Sequence, residues 1–140
     1  MVSITFQPTT EDIILFVGGG EVAERRMQLF IDEPCQIIVI APAVTDTISQ
    51  WAKDKRIIWW DRAFTSDDEQ FIITSSLFFI CTDNHKLNDS LHALGKKHRV
   101  WTNRSDDPEA CRFTIPSSLE LGDLHIAISA NNVGPRINRL

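Results

Sequence analysis

Apolar residues along this chain gather into short blocks that alternate with stretches of helical periodicity, and this alternation predicts an α/β fold. Ile13 to Val17 is the first block. From Glu21 onward, Ala23, Met27 and Phe30 recur at helical spacing until Asp32-Glu33-Pro34 stops the pattern. The β-branched run Ile37-Ile38-Val39-Ile40 reads as a second buried strand. Val44 to Lys55 reads as a helix with Ile48 and Trp51 or Ala52 inward, and Arg56 to Trp60 as a third strand. Thr65 to Gln70 is polar and turn-like or briefly helical. Leu77 to Cys81 makes a fourth strand, Lys86 to His98 a helix through Leu87, Leu91 and Leu94, and Val100 to Thr102 a short fifth strand. Strands separated by helices need crossover connections, so the expected architecture is a Rossmann-type parallel sheet with helices on both faces.

After the fifth strand the period changes from helical crossovers to simple alternation. Leu124, Ile126 and Ile128 alternate with His125, Ala127 and Ser129, and Leu121-Gly122-Asp123 separates them from Phe113 to Leu119. That is the pattern of a β-hairpin. The expected division is a Rossmann domain over residues 1–112 and a short segment over 113–140. The exposed edge of that segment would be covered by a second copy of the chain, giving a homodimer.

Between the first strand and the first helix stands Gly18-Gly19-Gly20-Glu21-Val22-Ala23. Gly18 can take a tight turn closed to residues with a Cβ, Gly20 lets backbone approach a pyrophosphate, and Ala23 permits close helix–strand contact. A strand, a glycine turn and a helix in this order make a dinucleotide site. No acid ends the second strand, where a carboxylate would hold the adenosine ribose; Ala41-Pro42-Ala43 follows instead. The residues alone therefore leave NAD and NADP both open.

Composition narrows the remaining classes. With 140 residues and 43% hydrophobic content, one compact domain can bury about two thirds of the surface of its unfolded chain. The longest apolar runs fall well short of the roughly 18 residues of a membrane span, and no basic stretch precedes an apolar one at the start, so a cytoplasmic protein is expected. Cys35, Cys81 and Cys111 have no metal-ligand spacing, and their odd number suits small buried hydrophobes better than a disulfide framework. The histidines at 85, 92, 98 and 125 form no ligand set, so no permanent metal site is expected. A net charge of −5 argues against nucleic acid as a partner.

In this fold class a ligand sits beyond the carboxyl ends of the strands. Two loops reach that region, Thr82-Asp83-Asn84 with Asn88 one turn later, and Asn103-Arg104-Ser105-Asp106-Asp107-Pro108. A carboxylate there could take a proton as a hydride leaves, and Arg104 or Arg112 could pair with substrate carboxylates.

Read together, Gly18-Gly19-Gly20-Glu21-Val22-Ala23-Glu24-Arg25-Arg26, Ala41-Pro42, Thr82-Asp83 with Leu87-Asn88, Asn103 with Asp106-Asp107-Pro108, Phe113 with Pro116, and Ile126-Ala127-Ile128-Ser129 form one ordered set. The set resembles the precorrin-2 dehydrogenase and sirohydrochlorin ferrochelatase family, the N-terminal module of siroheme synthases. The resemblance implies a homodimer that uses NAD⁺ to oxidise precorrin-2 to sirohydrochlorin, in some members also inserting Fe²⁺. It places the cofactor against Gly18, Gly19, Gly20, Glu21 and Val22, against Pro42 and Ala43, and by the loop residues Thr82, Asp83 and Asn103. It gives Asp106 the catalytic role of proton acceptor. A tetrapyrrole with eight carboxylates needs cationic partners, for which Arg104, Arg112, Arg136 and Arg139 are the candidates, with Ser129 as a further substrate-binding residue. The chain departs from the family in Arg104-Ser105, usually an apolar pair, in Asn131-Asn132 for a glycine pair, and in ending before the family's small helical domain. These departures suit an alternative in which the chain is a non-catalytic NAD- or tetrapyrrole-binding module.

Overall fold

The computed structural model describes residues 1–129, which fall into two compact units, Gln7–Phe113 and Met1–Phe6 with the chain from Thr114 onward. The larger unit holds β1 (Ile13–Val17), α1 (Glu21–Met27), β2 (Gln36–Ile40), α2 (Asp46–Lys53), β3 (Ile58–Trp60), α3 (Glu69–Thr74), β4 (Leu77–Ile80), α4 (His85–Lys97) and β5 (Trp101–Arg104). All five strands are parallel in the order β3-β2-β1-β4-β5. The Rossmann-type reading is thus met. Val17 is registered against Ile40 on one side and Ile80 on the other, so the chain's direction of travel reverses beside the end of β1.

Two apolar layers hold the sheet. On one face Leu15, Val17, Ile38, Ile40, Phe78 and Ile80 meet Ile72 of α3 and Leu91 of α4. On the other, Phe16 stacks on Phe79 at 4.8 Å between ring centres, and Phe30 packs on Phe79 just beyond α1. Such a central strand is buried on both faces, which is why β1 and β4 are continuous apolar runs and do not alternate.

Helix ends follow side-chain chemistry. Thr45 caps α2 by accepting from the Ile48 amide at 3.2 Å, and Asn84 caps α4 by accepting from the Leu87 amide at 3.0 Å. The polar stretch from Thr65 becomes a 3₁₀ turn, Ser66–Asp68, that runs directly into α3. Its buried Asp68 accepts from the Thr65 amide at 2.8 Å and takes the Arg62 guanidinium in a two-pronged pair at 2.5 and 2.6 Å. A polar sequence therefore starts a helix here because its one buried carboxylate is fully partnered.

The smaller unit carries an antiparallel hairpin, β6 (Ser117–Leu121) and β7 (Leu124–Ile128), with Leu121 paired to Leu124 across Gly122-Asp123. Gly122 adopts φ +61°, as this two-residue turn requires. The first hairpin strand begins later than the expected Phe113. Pro116 has no amide proton to give a ladder, and the Phe113 ring is instead held edge-on to Phe79 at 5.4 Å within the larger unit.

Candidate functional site

Three loops at the carboxyl ends of β1, β2 and β4 surround a cleft of about 750 Å³. The expected residues Gly18, Gly19, Gly20, Glu21, Val22, Pro42, Ala43, Thr82 and Asp83 all line it. Each glycine has a different reason to be there. Gly18 has φ +106°, and a Cβ on it would lie 2.5 Å from the Cys81 carbonyl oxygen. A Cβ on Gly19 would lie 2.7 Å from the Ala43 carbonyl oxygen. At Gly20 a Cβ would meet nothing within 4 Å, so the space it leaves belongs to the cleft. The first two glycines let loops close on one another, and the third keeps room for a ligand backbone.

Hydrogen bonds fix the walls. The Thr45 amide donates to Gly19 O at 3.0 Å, and its hydroxyl donates to Glu24 at 2.7 Å, tying the β2 loop to the glycine turn and α1. Asn88, buried on the inner side of α4, binds the Thr82 hydroxyl through its amide oxygen and donates to Thr82 O at 2.9 Å. Asn88 is therefore the residue that shapes the Thr82-Asp83 wall. Cys81 faces the same cleft, and burial pushes its thiol up to about 12, which keeps it protonated and unreactive. All three cysteines are half-buried and free.

The second expected loop is organised around an ion-pair network. Arg104, 4% exposed, donates from Nε to Asp106 Oδ1 at 2.8 Å, from one terminal nitrogen to Asp106 Oδ2 at 3.0 Å, and from the other to Asp89 at 2.9 Å. The Nδ1 of His85 lies 2.8 Å from Asp106 Oδ2. The Arg104 fork holds the Asp106 carboxyl far below the usual carboxylate range, with the His85 contact acting in the same direction. A carboxylate stabilised this strongly is a weak proton acceptor at neutral pH. Asp106 is thus held between Arg104 and His85, and the Arg104 guanidinium is shared between two aspartates.

The other expected residues lie elsewhere. Asn103 is buried; it accepts from Arg26 at 3.0 Å and donates to Phe113 O at 2.9 Å, so its side chain braces β5 against α1 and does not line the cleft. Arg112 sits with its guanidinium 6.0 Å from the Trp101 ring centre and lines a separate cavity with His92, Lys96 and Arg99. Ser129 follows β7 in the smaller unit, and Asn131-Asn132, Arg136 and Arg139 lie outside the described residues. Sequence reasoning had no signal for His85 and Asp89, whose spacing on α4 acquires meaning only when Arg104 is brought beside them.

Among the described residues no helix is long and apolar enough to cross a membrane. The family model described as NAD(P)-binding matches residues 6–117. A siroheme synthase of Pseudoalteromonas atlantica is 31% identical over 134 residues, covering 96% of this chain and 28% of that protein. Siroheme synthase 3 of Aeromonas hydrophila is 32% identical over 127 residues, 91% of this chain and 26% of that protein. The chain thus spans little more than a quarter of these curated relatives. A solved structure of SirC, a precorrin-2 dehydrogenase, superposes with a TM-score of 0.78 at 22% identity, over 99% of this chain and 66% of that one, and shares the fold. With its glycine turn, its cleft at the reversal beside β1 and a family model spanning most of its length, the chain belongs to the NAD(P)-binding family that forms the N-terminal module of siroheme synthases.

Proposed function

We propose that this chain binds NAD⁺ in the cleft between the glycine turn and the Pro42-Ala43 loop and oxidises precorrin-2 to sirohydrochlorin, a step of siroheme biosynthesis. The observation that carries the reading is the open space at Gly20, which follows two glycines whose own Cβ positions are filled by neighbouring loops. A pyrophosphate can approach that backbone as it could approach no side-chain-bearing residue. Preference for NAD⁺ over NADP⁺ rests on charge. No lysine or arginine lines the cleft among the described residues, and the arginine beside the lining residues Ala63 and Phe64, Arg62, is already paired with Asp68. A 2′-phosphate would find no free cation there.

A bound nicotinamide supplies the hydride acceptor. The chain's residues supply the rest: Gly18 to Val22 and Pro42-Ala43 hold the cofactor, Thr82 and Asp83 wall it, and Asp106 stands as an anion on the next loop. Arg112 and Ser129 are proposed to meet substrate carboxylates. The engagement of Asp106 by Arg104 favours a second reading, a module that binds cofactor without turnover. Calorimetry with NAD⁺ and NADP⁺, followed by anaerobic incubation with precorrin-2, separates the two. Saturable NAD⁺ binding tighter than NADP⁺, with NADH and sirohydrochlorin formed together, is the expected result. Binding without turnover selects the second reading, and absence of binding sinks both. Iron insertion, with Fe²⁺ as substrate, is read separately from siroheme absorbance.

Homodimerisation belongs to the same proposal. Leu119 and Leu121 of β6 share one hairpin face with their cross-strand partners Ile126 and Leu124, and Leu119, Leu121 and Leu124 are all exposed. An apolar face of this kind is stabilised when a second copy covers it. Light scattering is expected to give twice the mass of one chain, and a Leu121→Glu, Leu124→Glu double variant a single one. A wild-type monomer at tens of micromolar (an order-of-magnitude working range for weak dimers) would remove this part of the proposal.

A further inference from the structure

We propose that His85, oriented by Asp106, is the proton acceptor of the dehydrogenation, with Arg104 as the positioning residue that keeps Asp106 in place. The inference rests on the proposed dehydrogenase reading and names the residue that performs its proton transfer. His85 follows directly on Asn84, which lines the cleft, and its side chain is 69% exposed. It can therefore meet a substrate. Neither His85 nor Asp106 lines the cleft itself, but Asp106 is the more shielded of the two and both its oxygens are already occupied by Arg104 and His85.

The arrangement has the logic of an oriented base. An anionic Asp106 accepts the Nδ1 proton of His85, which leaves the Nε2 lone pair as the free acceptor. The charged groups facing the imidazole are Asp106 from the loop after β5 and Asp89 from its own helix, with Arg104 behind both. Asp89 lies 3.8 Å from Nε2, too far for a hydrogen bond, so that nitrogen stays open. In the step itself one bond to hydrogen in the tetrapyrrole breaks with its electron pair retained in the new double bond, and the proton forms an N–H bond at Nε2. The second hydrogen leaves with its electron pair as hydride to the oxidised nicotinamide, so two hydrogens and two electrons are lost in all. The imidazolium then returns its proton to water.

The test has two arms on the 140-residue chain. Nitrogen-15 NMR of the chain without cofactor is expected to show neutral His85 protonated at Nδ1, and Asp106→Ala to shift it to the Nε2-protonated form. A wild-type ring protonated at Nε2 overturns the inference whatever the activity. In the assay with precorrin-2 and NAD⁺, His85→Gln is expected to lower kcat by roughly 10²-fold or more with KM and NAD⁺ affinity unchanged. Turnover equal to wild type in that variant overturns the inference and leaves the dehydrogenase reading standing. Failure of the wild type itself to turn over overturns the dehydrogenase reading, and His85 then has no proton to accept.

Discussion

Gly18→Ala is expected to lose stability and cofactor binding together, whereas Gly20→Ala keeps its melting transition and loses only the cofactor. At Gly18 the added methyl meets two penalties at once. The backbone sits at φ +106°, outside the regions an L-residue adopts, and the new Cβ would lie within 3 Å of three backbone atoms of Cys81 and Thr82. Those atoms belong to β4's exit and cannot swing aside as a side-chain tip could. Strain and overpacking together are expected to cost roughly 2–5 kcal/mol, a large part of the stability of a domain this size. At Gly20 the backbone is extended, φ −82°, and the methyl enters open space. Folding should be unaffected or slightly favoured. Because that space is the cleft, NAD⁺ binding is expected to weaken on the order of ten-fold or more, about 1.4 kcal/mol. Thermal melts and calorimetry on the two variants check the contrast; a stable Gly18→Ala chain, or unchanged NAD⁺ affinity in Gly20→Ala, contradicts it.

Arg104→Met is the second large change. It keeps the volume of a buried side chain and removes every donor that Asp106 and Asp89 receive from it. Asp89 is exposed and can turn to water, but Asp106 is mostly shielded and loses its strongest partner. The expected cost is about 2–3 kcal/mol at neutral pH. The pH dependence follows from the direction of the shift. Asp106 is held lower in the folded chain than in the unfolded chain, where a free aspartate titrates near 3.9, about its ordinary value. Its contribution is complete above that pH and is lost as the solution is acidified through the depressed folded value. Asp68, lowered chiefly by Arg62, acts in the same sense. Melting temperatures of the wild type should therefore fall steeply below about pH 4, and Arg104→Met should start lower with a shallower acid limb. Parallel acid limbs in the two proteins would show that Arg104 does not hold Asp106.

Much of this arrangement was legible from residue order. The parallel sheet could be read because its signal is local: β1, β2 and β4 are apolar runs bounded by turns, and α2 and α4 carry their stripe at helical spacing. The glycine turn could be read because conformational freedom is a property of the residue itself. Boundaries were less legible. The stretch after Thr65 reads only as turn-like or briefly helical because its start depends on Arg62 neutralising Asp68, and Phe113 reads as the start of the hairpin until its packing against Phe79 is known.

The candidate site divides in the same way. The sequence by itself determined which residues line the cleft, since Gly18 to Val22, Ala41-Pro42-Ala43 and Thr82-Asp83 each follow a strand and parallel strands bring their ends together. Only the tertiary structure decided what Asp106, Arg104 and His85 do. His85 and Asp106 are 21 positions apart, and which carboxylate is free, which arginine is committed and which imidazole nitrogen is left open depend on distances of about 3 Å that no spacing in the chain encodes. Backbone pattern is a short-range property, whereas protonation and ion pairing are set by whichever charges the fold places side by side.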